Sequence, residues 1–293
     1  MTTKLVTKRP RPSSPLAPNS VFSLLNDFAT RGWIHMQNLL SPSELQRLQD
    51  ECSALYTRQS AEEIAEQGCV LDVMAQCPMR DSATARVDSS RYLEARAKQL
   101  NSVDDAHQVF SSLVFEKLPA IAGQLMADCT EFESEGVFFF NEHYVVKPPQ
   151  SHVEFRWHRD DDEQLAMCVH RETIRPYVSA WCALDDVSSV NGALQFVSLD
   201  VSDDLGEEAP VEHMQLRASV PVAAKAGDVL FFLSNVWHCS SSNESDAPRR
   251  AFYAQYSSEK ITARPKESAG LLVDMATASD SDKSSKKIKH SDL

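Results

Sequence analysis

The chain has 293 residues, with 29 Lys and Arg against 42 Asp and Glu, for a formal net charge of −13. Hydrophobic residues make up 42% and charged residues 24%, an ordinary globular composition long enough for one large domain. No apolar run approaches the ~18 residues of a membrane helix, the N-terminus has no apolar signal stretch, and the acidity argues against sequence-independent binding to nucleic-acid phosphates.

The charge is unevenly spread. Residues 1–18 carry +4, residues 259–293 carry +1, and the body at 19–258 carries −18. The seven cysteines include no CxxC pair. With no secretory signal, they read as thiols of a reducing compartment rather than a disulfide framework, and the expected location is intracellular, in the cytoplasm. The basic KRPRP near the start is a weak nuclear candidate. The chain ends in SDL, so the peroxisomal SKL address is absent.

Residues 1–18 read as a disordered basic tail. A helix follows over 21–28, where Phe22, Leu25 and Phe28 share a face, and Gly32 stops it before a short WIHM strand. Ser41-Pro42-Ser43-Glu44 starts a second helix, a capping box, expected to run to about Glu66. Residues 67–102 show no clear period and read as loops and short helices. Asp104–Asp128 reads as one long helix with a kink at Pro119. From there strands are expected at 137–147, 176–184, 193–197, 219–223, 229–233 and 250–256. Residues 259–293 read as a largely disordered polar tail. Helices first and strands later predict an α+β fold with a mainly β core, a jelly roll buttressed by N-terminal helices, filling one domain at 19–258.

The chemistry lies in FRWHRDDDEQ, where His158 and Asp160 stand at i and i+2. On an extended chain these side chains share a face and can grip one metal ion. Asp161 would point away, so alternation favours Asp160. His238, after the strand at 229–233, supplies a second imidazole. Two imidazoles and a carboxylate on one face are the ligand set of non-haem Fe(II) oxygenases. Such an enzyme needs electrons, which 2-oxoglutarate can supply, and the far carboxylate of 2-oxoglutarate needs a fixed cation. Arginine suits this with its planar fork. Arg249 lies 11 residues after His238, and the turn NESDAP fits a hairpin bringing them together. The rival, Arg250, sits one residue on.

The chain resembles the phytanoyl-CoA dioxygenase family of Fe(II)/2-oxoglutarate oxygenases. The resemblance is carried by WHRD at 157–160, WCALDD at 181–186, NGALQFV at 191–197, AGDVLFF at 226–232, WHCSSSN at 237–243 and RRAFYAQY at 249–256. GW and LSPSEL near the start extend it, so that it spans about residues 20–258. It implies a double-stranded β-helix of cupin type. It implies His158, Asp160 and His238 as iron ligands, and Arg249 and Ser240 on the 2-oxoglutarate carboxylate. Asn141 and Lys147 match positions that often face the site, and by alternation Asn141, His143, Val145 and Lys147 share a face. The implied cofactors are Fe(II), 2-oxoglutarate and O2, with ascorbate a further candidate. The implied reaction is hydroxylation of a small-molecule C–H bond, with release of succinate and CO2. The substrate would be acyl or amino-acid-like, chosen by loops at 67–102, 148–156, 161–175 and 199–217. Two rival readings are a cupin-like metal enzyme without 2-oxoglutarate and a non-catalytic jelly-roll binding protein.

Overall fold

The computed structural model describes residues 18–71, 73, 89–100, 106–129, 136–162, 174–202, 210–259 and 275–276. The expected tail at 1–17 and most of that at 260–293 lie outside them. Within the latter, Met275 and Ala276 pair antiparallel with Phe139 and Phe138, a small addition to the expected β core.

The helices come first. Helix α1 (Pro18–Arg31) ends where Gly32, at φ +75°, turns the chain. A Cβ at Gly32 would lie 2.5 Å from Val236 Cγ2, so the glycine also allows close packing there. Strand β1 (Trp33–Met36) follows. The helix expected to reach Glu66 is two helices, α2 (Pro42–Tyr56) and α3 (Ala61–Glu66). Each opens with a complete capping box, Ser41 with Glu44 and Ser60 with Glu63. Ser60 and Glu63 repeat the start signal, and that break went unread in the sequence. After β2 (Val70–Leu71) come α4 (Ser89–Leu100) and α5 (Ala106–Ser112). A π-helical turn, Leu113–Lys117, leads into α6 (Leu118–Cys129). Pro119 has no N–H to give the preceding turn, and the irregularity falls immediately before it.

The strands form two sheets. The larger runs in the order β1, β7 (Val229–Leu233), β5 (Val178–Ala183), β9 (Arg249–Ser257), β3 (Phe138–Lys147), β10 (Met275–Ala276), with β2 also on β3. The smaller runs β4 (Phe155–His158), β8 (His238–Ser240), β6 (Leu194–Phe196). Among the described residues, every strand pairing is antiparallel. This is the mixed helix-and-sheet, double-stranded β-helix architecture expected. The strand expected at 219–223 is not formed; single bridges flank the segment, Ala218 with Val197 and Ala224 with Val187. Helix α7 (Val211–Arg217) precedes it. β8 and β9 are not a hairpin either, because they belong to different sheets, and the NESDAP turn carries the chain from one to the other. Among the described residues, no helix is long and apolar enough to cross a membrane.

β3 separates the helices from the site. Its register against β9 shifts between Phe139 and Asn141. That irregularity changes the parity of the strand. Phe139 packs on Tyr92 and Phe115, and after the shift Glu142 and Tyr144 also reach the helical side. There a buried ion cluster ties α2, α4 and β3 together. Arg96 donates from Nε to Glu142 at 2.7 Å and from Nη1 to Glu51 at 2.9 Å. Its guanidinium lies 3.4 Å from the Phe110 ring centre on α5. Tyr144 donates to Glu51 at 2.7 Å, and Tyr92 donates to Glu142. Burial raises the Glu51 carboxyl, but Arg96 and Arg47 outweigh it and hold that group below the usual carboxylate range. For Glu142 burial wins over Arg96, and its carboxyl rises.

Buried charges are expensive unless every partner is present. Replacing Arg96 with Met takes the cationic partner from buried Glu142 and leaves Glu51 with the cation of Arg47. The expected cost is about 3–5 kcal/mol of unfolding free energy in urea denaturation. A loss below about 1 kcal/mol would contradict this role for the cluster.

Candidate active site

The pairing of β4 with β8 sets His158 directly opposite His238. The two imidazole rings lie 4.2 Å apart between centres. His158 gives Nδ1–H to the Arg156 carbonyl at 2.7 Å, and His238 gives Nδ1–H to the Val236 carbonyl at 3.0 Å. Those bonds fix one tautomer and leave both Nε2 lone pairs free. Burial, and then His158 beside it, lowers the His238 pKa to about 4, so its ring stays neutral at physiological pH.

Asp160 follows β4 at the start of a helical turn rather than on an extended strand, as alternation had assumed. Its carboxylate still reaches the same point. Oδ1 lies 3.4 Å from His238 Nε2 and 3.8 Å from His158 Nε2. One donor atom from each of the three residues falls within 4.8 Å of the others. Two imidazole nitrogens and a carboxylate oxygen fit a first-row divalent metal and leave coordination positions open.

The other oxygen of Asp160 faces the large sheet. Oδ2 accepts from Ser179 Oγ at 2.8 Å, from Gln255 Nε2 at 3.2 Å and from the Tyr253 hydroxyl. The strand registers explain the convergence. Ser179 on β5, Gln255 on β9 and Asn141 on β3 form one row across the sheet. Trp181, Tyr253 and His143 form the next. Asn141 donates Nδ2 to Gln255 Oε1 at 2.8 Å, and His143 stacks on Tyr253 with ring centres 4.8 Å apart. Burial pulls the pKa of His143 down to about 4.

Two more cations close the row structure. Arg249 and Lys147 sit opposite each other on β9 and β3. Arg249 is 1% exposed, and its guanidinium lies 5.4 Å from the Trp181 ring centre. Nη2 donates to the Gly192 carbonyl at 3.1 Å, while Nη1 is buried with no hydrogen-bond partner. Gly192, at φ +88°, lets Ser241 and Lys147 pack close; a Cβ there would lie 2.6 Å from the Ser241 carbonyl. Burial lowers the Arg249 pKa to about 10, and the side chain stays charged. A buried guanidinium with an unused N–H aimed into a cavity fits a carboxylate. Lys147 turns instead to Ser240, donating to its Oγ at 2.9 Å and its carbonyl at 3.1 Å, and to the Ser241 carbonyl. Burial and the facing Arg249 lower the Lys147 pKa to about 7.

These groups enclose a cavity of about 250 Å³, whose walls include Asn141, His143, Phe155, Phe232 and Ser240 beside the triad and Arg249. Sequence reasoning singled out His158, Asp160, His238, Arg249, Ser240 and Asn141, and all six line it. Lys147 reaches it only through Ser240. The rival Arg250 points away, to Asp185 and Ser53. Ser179, Tyr253 and Gln255 were missed. The signal was present, since Arg249, Ala251, Tyr253 and Gln255 alternate onto one face of the same strand.

Comparison with known proteins agrees with the geometry. The phytanoyl-CoA dioxygenase (PhyH) family model matches residues 28–251. No curated protein sequence matches the chain. Among solved structures, the non-heme alpha ketoglutarate-dependent carbocyclase SnoK from nogalamycin biosynthesis is 18% identical with a TM-score of 0.56, over 87% of this chain and 89% of that one. EctD from S. alaskensis, with 2-oxoglutarate and 5-hydroxyectoine, is 16% identical with a TM-score of 0.56, over 92% and 91%. The epimerase SnoN, in complex with Fe3+, alpha ketoglutarate and nogalamycin RO, is 19% identical with a TM-score of 0.52, over 86% and 89%. At these identities the likeness establishes the shared fold. The family match spans most of the chain and contains the whole His-Asp-His cluster and Arg249. The chain therefore belongs to the phytanoyl-CoA dioxygenase family of iron- and 2-oxoglutarate-dependent oxygenases.

Proposed function

We propose that this oxygenase hydroxylates a C–H bond of a small molecule, with His158, Asp160 and His238 holding Fe(II) and Arg249 holding the far carboxylate of 2-oxoglutarate. One observation carries this reading. Three ligand atoms within 4.8 Å and a buried guanidinium with a spare N–H open into the same cavity. A cupin-like metal enzyme without 2-oxoglutarate would have no use for that guanidinium, and a binding protein would have no use for the cluster.

Iron and 2-oxoglutarate, when bound, supply the oxidation of the substrate C–H bond by O2, with the keto acid leaving as succinate and CO2. The chain's own part is to bind, orient and exclude water. The two imidazoles are aimed by backbone carbonyls, which take the Nδ1–H of each ring. Arg249 is charged, desolvated and fixed against the Gly192 carbonyl and Trp181, so a carboxylate gains a strong partner there. Lys147 occupies a lone pair of Ser240 Oγ, which leaves the Ser240 hydroxyl proton free to donate to the same carboxylate. The apolar walls, Val145, Leu194 and Phe232, keep water from the reacting centre. The retained carboxylate at Asp160 keeps that coordination position filled, which favours hydroxylation over halogenation.

The structural relatives include proteins whose bound molecules are nogalamycin RO and 5-hydroxyectoine. Together with a cavity of about 250 Å³, this supports a small metabolite as substrate, carrying an acyl or amino-acid-like group. The single domain at 19–258 is part of the same reading.

Asp160→Ala should lower succinate formation from 2-oxoglutarate by at least about 100-fold, measured with the full chain and Fe(II) in air. Wild-type-like succinate output in that variant would refute the triad. Lys147 gives a second test. Its pKa is about 7 without an anion, and a dianion beside it favours the protonated form. The affinity for 2-oxoglutarate should therefore fall as pH rises through about 7. Lys147→Met should flatten that dependence in calorimetry. A pH dependence unchanged in Lys147→Met would contradict the coupling.

A further inference from the structure

Resting on the triad reading above, we infer that Gln255 and Asn141 are positioning residues that hold Asp160 as a one-oxygen ligand. Asn141 does so by fixing which end of the Gln255 amide faces the carboxylate.

The argument starts from which groups can donate. An ionised carboxylate only accepts hydrogen bonds. Oδ2 of Asp160 is 7% exposed with its residue and receives donors from Ser179, Gln255 and Tyr253. With its acceptor capacity used there, Oδ1 is the oxygen turned toward the two Nε2 atoms. The Gln255 side chain is the adjustable member of that set. An amide can present either its N–H2 or its oxygen, and the two orientations differ by a half turn. Only the N–H2 is compatible with Asp160 Oδ2. In the observed arrangement Nε2 faces Asp160 and Ser179, both at 3.2 Å, and Oε1 faces Asn141. Asn141 donates its own Nδ2 to that oxygen at 2.8 Å and so selects the orientation. The row Asn141–Gln255–Ser179 is set by strand register and does not depend on a loop. Asn141 also lines the cavity, so this support reaches the metal ligand from the cavity wall.

The assignment predicts a sign. Asn141→Asp places an acceptor-only group against Gln255, turns the amide round and faces its oxygen at Asp160. Metal binding should weaken, although a carboxylate has been added near a cation. Simple attraction predicts tighter binding. The test is calorimetric titration of the full metal-free chain with Mn(II), with folding of each variant checked by thermal melting. Gln255→Met, which keeps length and removes the donor, should weaken Mn(II) binding about 10–100-fold, and Asn141→Asp should weaken it too. Unchanged affinity in Gln255→Met, or tighter binding in Asn141→Asp, overturns the inference. Asp160→Ala in the same titration separates the two claims. Its loss of Mn(II) alongside normal binding by Gln255→Met refutes only the positioning role. Normal binding by Asp160→Ala refutes the triad itself, and the positioning role with it.

Discussion

Asp160 has two oxygens, and the structure uses them on opposite sides. Oδ2 is held by three residues of the large sheet. Oδ1 meets two histidines of the small sheet. The carboxylate is therefore the polar join between the sheets at the point where the chemistry takes place. An unpaired buried carboxylate would cost several kcal/mol, so the large sheet must supply these donors. That requirement fixes the register of β5, β9 and β3 relative to one another. The same register then sets Lys147 opposite Arg249.

Like charges opposite each other in a sheet are unfavourable. Here they lie in a body whose net charge is −18 over residues 19–258. The buried pocket itself holds Arg249 with an unused N–H. Lys147 is turned onto Ser240 and the Ser241 carbonyl, away from Arg249. On the far side of β3 the pattern is reversed, with two carboxylates meeting one buried arginine, Arg96. The shift in register between Phe139 and Asn141 lets one strand serve both faces.

The sequence made some parts of this plain and hid others for physical reasons. The β core, the capped start of α2 and the stop at Gly32 follow from local rules of capping and alternation. His158, Asp160, His238 and Arg249 could be picked out because metal and carboxylate binding restrict residue type at fixed spacing. Asp160 was found by an alternation that the structure does not keep, since the strand ends at His158 and the carboxylate arrives from a helical turn. The crossover at NESDAP was read as a hairpin, because chain proximity does not say which sheet a strand joins. Alternation puts Tyr253 and Gln255 on the Arg249 face of β9, but their meeting with Ser179 and Asp160 depends on strand pairing, which no local pattern reveals. The Glu51–Arg96–Glu142 cluster joins residues 45 and 46 positions apart, and charged residues in a helix are by default solvated.

The central claim is that a metal held by the triad and the guanidinium of Arg249 form one binding site for 2-oxoglutarate. Anaerobic calorimetry of 2-oxoglutarate binding, with and without Fe(II), tests it directly. The account predicts one molecule bound per chain, only when Fe(II) is present, with binding lost in Arg249→Ala. Equal binding without metal, or undiminished binding in Arg249→Ala, would contradict it.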